Sequence, residues 1–209
     1  MKRRTKFVAV LALLLAMTAA GGLIFSYLVR QNGPIMGGGE VTNSGKADIG
    51  GPFTLTGPGG KRISDTDFRG KYMLVYFGYT FCPDICPASL QAMSEALDLL
   101  DAQADKVQPI FITVDPSRDT PEQMASYVSG LDPRFIGLSG SPQDTAKAAK
   151  AYRVYYARVE STDPSDEYYL IDHSAYIYLM GPDGAFIRVF SYGTSPRDMA
   201  EDIAKVLNR

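Results

Sequence analysis

Apolar runs alternate with amphipathic stretches along residues 51–209. The runs YMLVYFGY (72–79) and VQPIFITV (107–114) are rich in β-branched and aromatic residues, which indicates two buried strands. Between them, leucines and a methionine recur at helical spacing and predict a helix over residues 88–103. A strand, a helix and a second strand in this order are typical of a sheet that is covered by helices.

The second half of this region contains start signals for three more helices and the pattern of a hairpin. The runs at 174–180 and 185–192 flank the turn sequence GPDG, which predicts two antiparallel strands. A last helix is expected at 198–207. A serine or threonine followed by proline marks each helix start, at Thr120, Ser141 and Ser195. We therefore predict an α/β protein with a thioredoxin-like fold, in which a central mixed β-sheet is flanked by helices.

A different pattern precedes this domain. Residues 7–29 carry no charge and are long enough to span a bilayer core, which takes about 20 apolar residues. The basic tract MKRRTK (1–6) predicts a cytoplasmic N-terminus, a single-pass transmembrane anchor at 7–29, and a domain on the extracytoplasmic (periplasmic) side of the inner membrane. A cleaved signal peptide is the alternative, although the apolar run exceeds a typical signal core of about 7–15 residues. The glycine-rich segment 30–50 predicts a flexible linker to the domain at 51–209.

The charge distribution excludes nucleic acid as a partner. The chain has 21 basic and 23 acidic residues, a formal net charge of -2. Five of the basic residues and none of the acidic ones fall in residues 1–30. The remainder is therefore acidic and lacks the basic patch that nucleic-acid phosphates require.

The candidate chemistry lies in the stretch YFGYTFCPDICPASLQAM, which contains the two cysteines of the chain, Cys82 and Cys86. Residues four apart in a regular helix have Cβ atoms ~5–6 Å apart, whereas a disulfide needs about 3.5–4.5 Å. Pro87 also disfavours a helical conformation at Cys86. The sequence thus predicts a loop from Cys82 to Ile85, with Cys86 at the helix cap and Pro87 opening the helix. A helix N-terminus lowers the pKa of a cysteine thiol.

Three uses of this cysteine pair remain open. A structural disulfide would close only a tiny loop and constrain little of the unfolded chain. A redox catalyst would prefer the spacing Cys-x-x-Cys, and here there is one residue more. A metal site needs further ligands, and the single histidine, His173, could supply one, although a lone histidine is more often structural. Two thiolates and an imidazole favour Cu(I), because structural zinc usually takes four ligands.

Several segments resemble the Sco (SenC) family of copper-binding, thioredoxin-like proteins. The stretch with CPDICP carries the family's cysteine motif. The likeness covers about residues 50–208, in order. The other matching segments are GGPFTLTGPGGKRISDTDFRGKYMLV (50–75), TVDPSRDTPEQM (113–124) and IDHSAYIYLMGPDG (171–184).

The resemblance implies that Cys82, Cys86 and His173 bind copper, as Cu(I), Cu(II) or both. Family members help to build the dinuclear copper centre of cytochrome c oxidase subunit II, either by delivering copper or by reducing the cysteines of that subunit. The implied partners are subunit II, the membrane through the anchor and, more weakly, other copper chaperones. Asp115 and Asp172 are weak candidates for a role behind the ligands.

The implied role is that of a metallochaperone rather than an enzyme, and no catalytic residue is assigned. Two alternatives remain: a thiol–disulfide reductase with Cys82 and Cys86 as a redox-active disulfide, and a copper or redox sensor. Thioredoxin oxidoreductases place a cis-proline beside the active site, whereas the corresponding segment here, DHSAY, has none, which favours metal binding. Tyr76, Tyr79 and Phe81 are expected in the core or in the walls of the site, and the acidic loop 157–171 could fold over it.

Overall fold

The computed structural model describes residues 48–159 and 169–208. Its centre is a five-stranded mixed sheet with helices packed against it, and two pairs of short strands lie outside that sheet. The strands and α-helices are β1 (Thr54–Thr56), β2 (Arg62–Ser64), β3 (Tyr72–Gly78), α1 (Ile85–Leu99), β4 (Val107–Thr113), α2 (Pro121–Leu131), β5 (Ile136–Leu138), α3 (Pro142–Ala151), β6 (Tyr156–Arg158), β7 (Ile171–His173), β8 (Tyr176–Met180), β9 (Phe186–Ser191) and α4 (Pro196–Leu207).

Strand β3 is the middle strand of the sheet, whose order is β5-β4-β3-β8-β9. It runs parallel to β4 and antiparallel to β8, so that Tyr76 lies opposite Phe111 on one side and Ile177 on the other. Strands β8 and β9 form the predicted hairpin around the Pro-Asp-Gly turn, where Gly184 takes a φ of 76°. The predicted thioredoxin-like arrangement, a mixed sheet flanked by helices, is confirmed.

The apolar run of β3 forms the centre of the core. Its residues Leu74, Val75, Tyr76 and Phe77 are fully buried, as expected for a strand covered on both faces. Burying one such side chain contributes about 1.5–3 kcal/mol. The segment that carries the cysteines therefore starts from a strand at the centre of the core.

Helix α1 begins at Ile85, earlier than predicted, so Cys86 lies in the first helical turn and not at the cap. Pro87 is tolerated there because the N–H groups of the first turn have no partner within the helix. The helix also ends earlier than predicted. Its last residue is Leu99, and Asp101, the first residue of a 3-10 segment, takes a positive φ of 49°.

The histidine does not lie on the central sheet. Strand β7 pairs only with β6 within the described residues, and Tyr156 lies opposite His173 in this two-stranded antiparallel sheet. The chain then enters β8, the neighbour of β3. His173 thus lies just before β8, on a separate pair of strands.

The predicted cytoplasmic tail (1–6), the anchor (7–29) and most of the linker (30–50) lie outside the described residues, as does the middle of the loop 157–171. Within the part of the chain that the structure describes, no helix combines the length and apolar character that crossing a bilayer requires.

Candidate metal centre

The two cysteines lie between the end of β3 and the first turn of α1. Cys86 is fully buried and Cys82 is nearly so, and both thiols are free. The backbone N–H of Cys82 donates to the carbonyl oxygen of Tyr79 at 3.3 Å. The backbone N–H of Cys86 donates to the sulfur of Cys82 at 3.4 Å. The sulfur of Cys82 thus accepts a hydrogen bond that an N-cap side chain would otherwise accept.

His173 completes a group of three potential metal ligands. Its Nε2 lies 3.3 Å from Sγ of Cys86, and one ligand atom from each of Cys82, Cys86 and His173 lies within 4.8 Å of the others. The Nδ1 atom lies 3.2 Å from the carbonyl oxygen of Ser174. In the tautomer with a proton on Nδ1, this atom donates to the carbonyl oxygen and the lone pair of Nε2 faces the sulfurs, as in many metal-binding histidines. In the other tautomer, Nε2 carries the proton and donates toward the sulfurs.

The two thiols differ in their readiness to ionise. The pKa of Cys82 is lowered well below its usual range, chiefly by a hydrogen bond from the thiol of Cys86. Burial raises the pKa of Cys86, and its hydrogen bond to Cys82 adds to that effect. Of the two thiols, Cys82 is therefore the one that loses its proton first.

The donor set fits a soft metal ion. Two donors that bind one ion at about 2.0–2.3 Å are at most ~4.6 Å apart, so the observed group needs little rearrangement to close around an ion. Two sulfurs and one imidazole nitrogen suit Cu(I) better than the harder cations that prefer oxygen ligands.

Gly78 makes room for the sulfur of Cys86, a feature that sequence reasoning missed. A Cβ atom at this position would lie 2.6 Å from Sγ of Cys86 and 3.0 Å from the ring of Phe111. Any larger residue would displace one of these groups. A glycine at the end of an apolar strand is the signal that could have drawn attention to this contact.

Tyr76 and Tyr79 line the site, as expected from the sequence, whereas Phe81 is exposed and not part of the core. The hydroxyl of Tyr76 donates to Sγ of Cys86 over 3.9 Å, and its ring meets the ring of His173 edge-on with centroids 6.1 Å apart. The ring of Tyr79 meets His173 from another direction, also edge-on, at 5.9 Å. The hydroxyl of Tyr79 accepts the backbone N–H of Ile171 at 3.1 Å.

The two weaker candidates, Asp115 and Asp172, do not join the ligand group, which in the described residues contains no carboxylate. Asp115 is buried and bonded by Arg118 and by the hydroxyl of Tyr169. Asp172 is exposed, and its backbone pairs with Ala157. A role for either behind the ligands stays a prediction.

Asp119 fixes the chain just before the cysteines. Its buried carboxylate accepts hydrogen bonds from the backbone N–H and hydroxyl of Thr80 and from the hydroxyl of Thr113. Burial raises the pKa of this carboxyl group, against the effect of the three bonds. The segment that leads to Cys82 is thereby tied to the end of β4.

The model of the SCO1/SenC family matches residues 41–208. The chain is 40% identical over 204 residues to Protein sco1 of Schizosaccharomyces pombe, which covers 94% of this chain and 76% of that protein. It is 41% identical over 162 residues to the mitochondrial SCO1 homolog of Homo sapiens, covering 77% of this chain and about half (53%) of the human protein.

Among solved structures, Bradyrhizobium japonicum ScoI with copper bound is similar to this chain. It superimposes with a TM-score of 0.68 at 47% identity, over 75% of this chain and 98% of the other. The family match spans most of the chain and includes the cysteine stretch and His173. The chain therefore belongs to the SCO1/SenC family.

Proposed function

We propose that this protein binds copper through Cys82, Cys86 and His173 and helps to assemble the dinuclear copper centre of cytochrome c oxidase subunit II. The observation that carries the proposal is the group of three soft donors within 4.8 Å of one another, on a chain whose relative ScoI holds copper. Copper is here a cargo that is bound and handed on, and the protein is a metallochaperone rather than an enzyme.

Each ligand has a defined part in binding. Cys82 ionises first and offers the first strong bond, because the thiol of Cys86 donates a hydrogen bond to its sulfur. Cys86 must then release its proton, so copper uptake releases about one proton per site and weakens as the pH falls. The lone pair of Nε2 of His173 is the third donor. Three donors leave one side open, from which an acceptor's ligands can begin an exchange.

Titration of the reduced, full-length chain with Cu(I) against a competing chelator tests the site. We expect one copper per chain, much weaker binding by His173→Ala, and loss of binding once Cys82 and Cys86 are oxidised to a disulfide. Lys147→Ala, on the exposed face of α3, serves as the surface control and should match the parent. Binding by His173→Ala as tight as that of the parent would disprove the three-ligand site.

The cellular part of the proposal places the protein in the inner membrane through residues 7–29, with the domain on the periplasmic side and subunit II as its partner. Deletion of the gene should leave the oxidase without its dinuclear copper centre. The full-length chain should restore that centre, and Cys86→Ala should not. Restoration by Cys86→Ala would exclude copper delivery by this site.

Thiol–disulfide reduction of subunit II is the second candidate, favoured by the unequal pKa values of two adjacent free thiols. The thiolate of Cys82 would attack one sulfur of the partner's disulfide and release the other as a thiolate. Cys86, once deprotonated, would then attack Cys82, so that the partner leaves as a dithiol and this chain is oxidised by two electrons.

The variant His173→Ala separates the two candidates, because reduction needs only the cysteines. Fast reduction of a subunit II disulfide by His173→Ala, together with a restored copper centre in cells, would favour the reductase. Fast reduction without a restored centre would favour copper delivery.

A further inference from the structure

We propose that Tyr79 is the positioning residue that fixes His173 against the cysteine pair. This inference rests on the proposed function only in so far as it names copper as the ion that the three residues hold. Tyr79 would not touch the ion. It acts through the strand that carries the histidine.

The need for such a residue follows from the topology. Cys82 and Cys86 are held by β3 and α1, whereas His173 lies on β7, which shares its ladder only with β6 within the described residues. No hydrogen-bond ladder joins this two-stranded sheet to the central one there. Apart from the short link from His173 to β8, the distance between the imidazole and the sulfurs is set by side-chain contacts.

Tyr79 makes contacts to both halves of the site. Its carbonyl oxygen accepts the backbone N–H of Cys82 at 3.3 Å. Its hydroxyl accepts the backbone N–H of Ile171, the first residue of β7, at 3.1 Å in a buried position. Its ring meets the imidazole of His173 edge-on, with an angle of 83° between the planes.

The tyrosine itself is held firmly. Its side chain is only 2% exposed, and it follows β3 directly. On another side, the guanidinium of Arg118 lies 5.7 Å from the centre of its ring and 3.6 Å from the ring of Tyr169, two residues before β7. Arg118 is in turn bonded to the buried Asp115. Because this tyrosine is fixed in the core and its hydroxyl is hydrogen-bonded to β7, it can hold His173 at a fixed position relative to the core.

The hydroxyl can be removed without changing the shape of the side chain. In Tyr79→Phe, the buried N–H of Ile171 loses its acceptor, a change that proteins tolerate poorly, while the ring contact to His173 remains. Tyr178→Phe is the matched control: Tyr178 is also buried and on the central sheet, but its ring packs on Phe77 and Tyr152 instead.

His173 can be observed directly because it is the single histidine of the chain. Full-length protein made with 15N-histidine and without a polyhistidine tag gives nitrogen signals from this ring alone. In the reduced, metal-free state, we expect one set of ring signals for the parent and for Tyr178→Phe. For Tyr79→Phe, we expect broadened or multiple signals, because the imidazole samples several positions.

Copper affinity gives a second readout. We expect Tyr79→Phe to bind Cu(I) about three- to tenfold more weakly than the parent, equivalent to ~0.7–1.4 kcal/mol, and Tyr178→Phe to bind like the parent. If Tyr79 acts through the histidine, removal of its hydroxyl should cost nothing further in a His173→Ala background, which a double-mutant cycle measures.

Equal losses of affinity in the two backgrounds would overturn the proposal, as would parent-like ring signals in Tyr79→Phe. Either result would mean that Tyr79 supports the fold and does not position His173. If the parent itself bound no copper, the proposed function would fail, while the ring signals of the metal-free protein would still decide the role of Tyr79.

Discussion

The two halves of the candidate metal centre are built in different ways. The cysteine half is local in sequence: Cys82 and Cys86 are four residues apart and follow the largely buried β3. A hydrogen bond from the backbone N–H of Cys86 to the sulfur of Cys82 joins them. The histidine half is distant in sequence and lies on a two-stranded sheet of its own. It reaches the cysteines through side-chain contacts, above all those of Tyr79.

This difference indicates which half of the site loses its geometry more easily. Regions with few backbone bonds to the core open at lower free energy than buried central strands do. We expect the cysteine half to keep its geometry whether or not an ion is bound, and the histidine half to respond to small changes in its supports. A site that must release its cargo gains from having one ligand on such a softer element.

The largest expected contrast comes from removing one ligand from each half. Cys86→Ala should weaken Cu(I) binding by at least about 1000-fold and His173→Ala by roughly 100-fold, because thiolate is the softer and charged donor. Chelator competition on the reduced full-length proteins measures both. A greater loss from the histidine variant would reverse the comparison and make the imidazole the principal ligand.

The cysteine half was largely predictable from the sequence, because its determinants are neighbours along the chain. The apolar run at 72–79 predicted β3, and the position of Cys82 and Cys86 after it predicted two thiols near a helix N-terminus. The exact helix start was missed because Pro87 is compatible with the first turn as well as with the cap.

For the histidine half, the sequence predicted the identity of the ligand but not the contacts that hold it in place. The scarcity of histidine and the family resemblance pointed to His173. Its support by Tyr79 depends on a hydrogen bond between residues 92 positions apart, which no local pattern encodes. The room that Gly78 leaves for the sulfur of Cys86 likewise depends on packing across the strand and helix.

The unequal acidity of the two thiols offers a second test of the cysteine half. Because Cys86 donates to Cys82, the pKa of Cys82 lies below its usual range, and one thiolate should be present on the acid side of neutrality. In Cys86→Ala, the midpoint should rise by roughly one to two pH units, since a hydrogen bond to a charged group contributes about 1.5–3 kcal/mol. Ultraviolet thiolate absorbance of the metal-free protein follows this titration.

An unchanged midpoint in Cys86→Ala would show that the acidity of Cys82 comes from the helix terminus or from His173 instead. The histidine contribution can be isolated with His173→Ala. In the tautomer with its proton on Nε2, His173 donates a hydrogen bond that also lowers the pKa of Cys82, by less than the bond from Cys86 does. The rise in this variant should therefore be the smaller of the two.

Filling the space beside Cys86 tests how rigid the cysteine half is. Gly78→Ala would place a Cβ atom 2.6 Å from Sγ of Cys86, and overpacking of this kind costs about 1–3 kcal/mol of stability. We expect Cu(I) affinity to fall about tenfold as the sulfur is displaced. Gly130→Ala, on α2 with no atom within 4 Å of the added Cβ, is the control and should bind copper normally. Normal copper binding by Gly78→Ala would show that the two cysteines can move to make room for the added Cβ atom.

The smallest expected effect comes from Tyr76, and it sharpens the comparison most directly. Its hydroxyl also donates toward the site, but to Sγ of Cys86 over 3.9 Å, a long and weak bond. The position of Cys86 is already set by its helix and by β3. Tyr76→Phe should therefore change Cu(I) affinity by no more than about twofold, less than 0.5 kcal/mol, whereas Tyr79→Phe should change it by more. Both variants remove one buried hydroxyl from neighbouring tyrosines, so a larger loss in Tyr76→Phe would mean that the cysteine half, and not the histidine half, depends on its tyrosine.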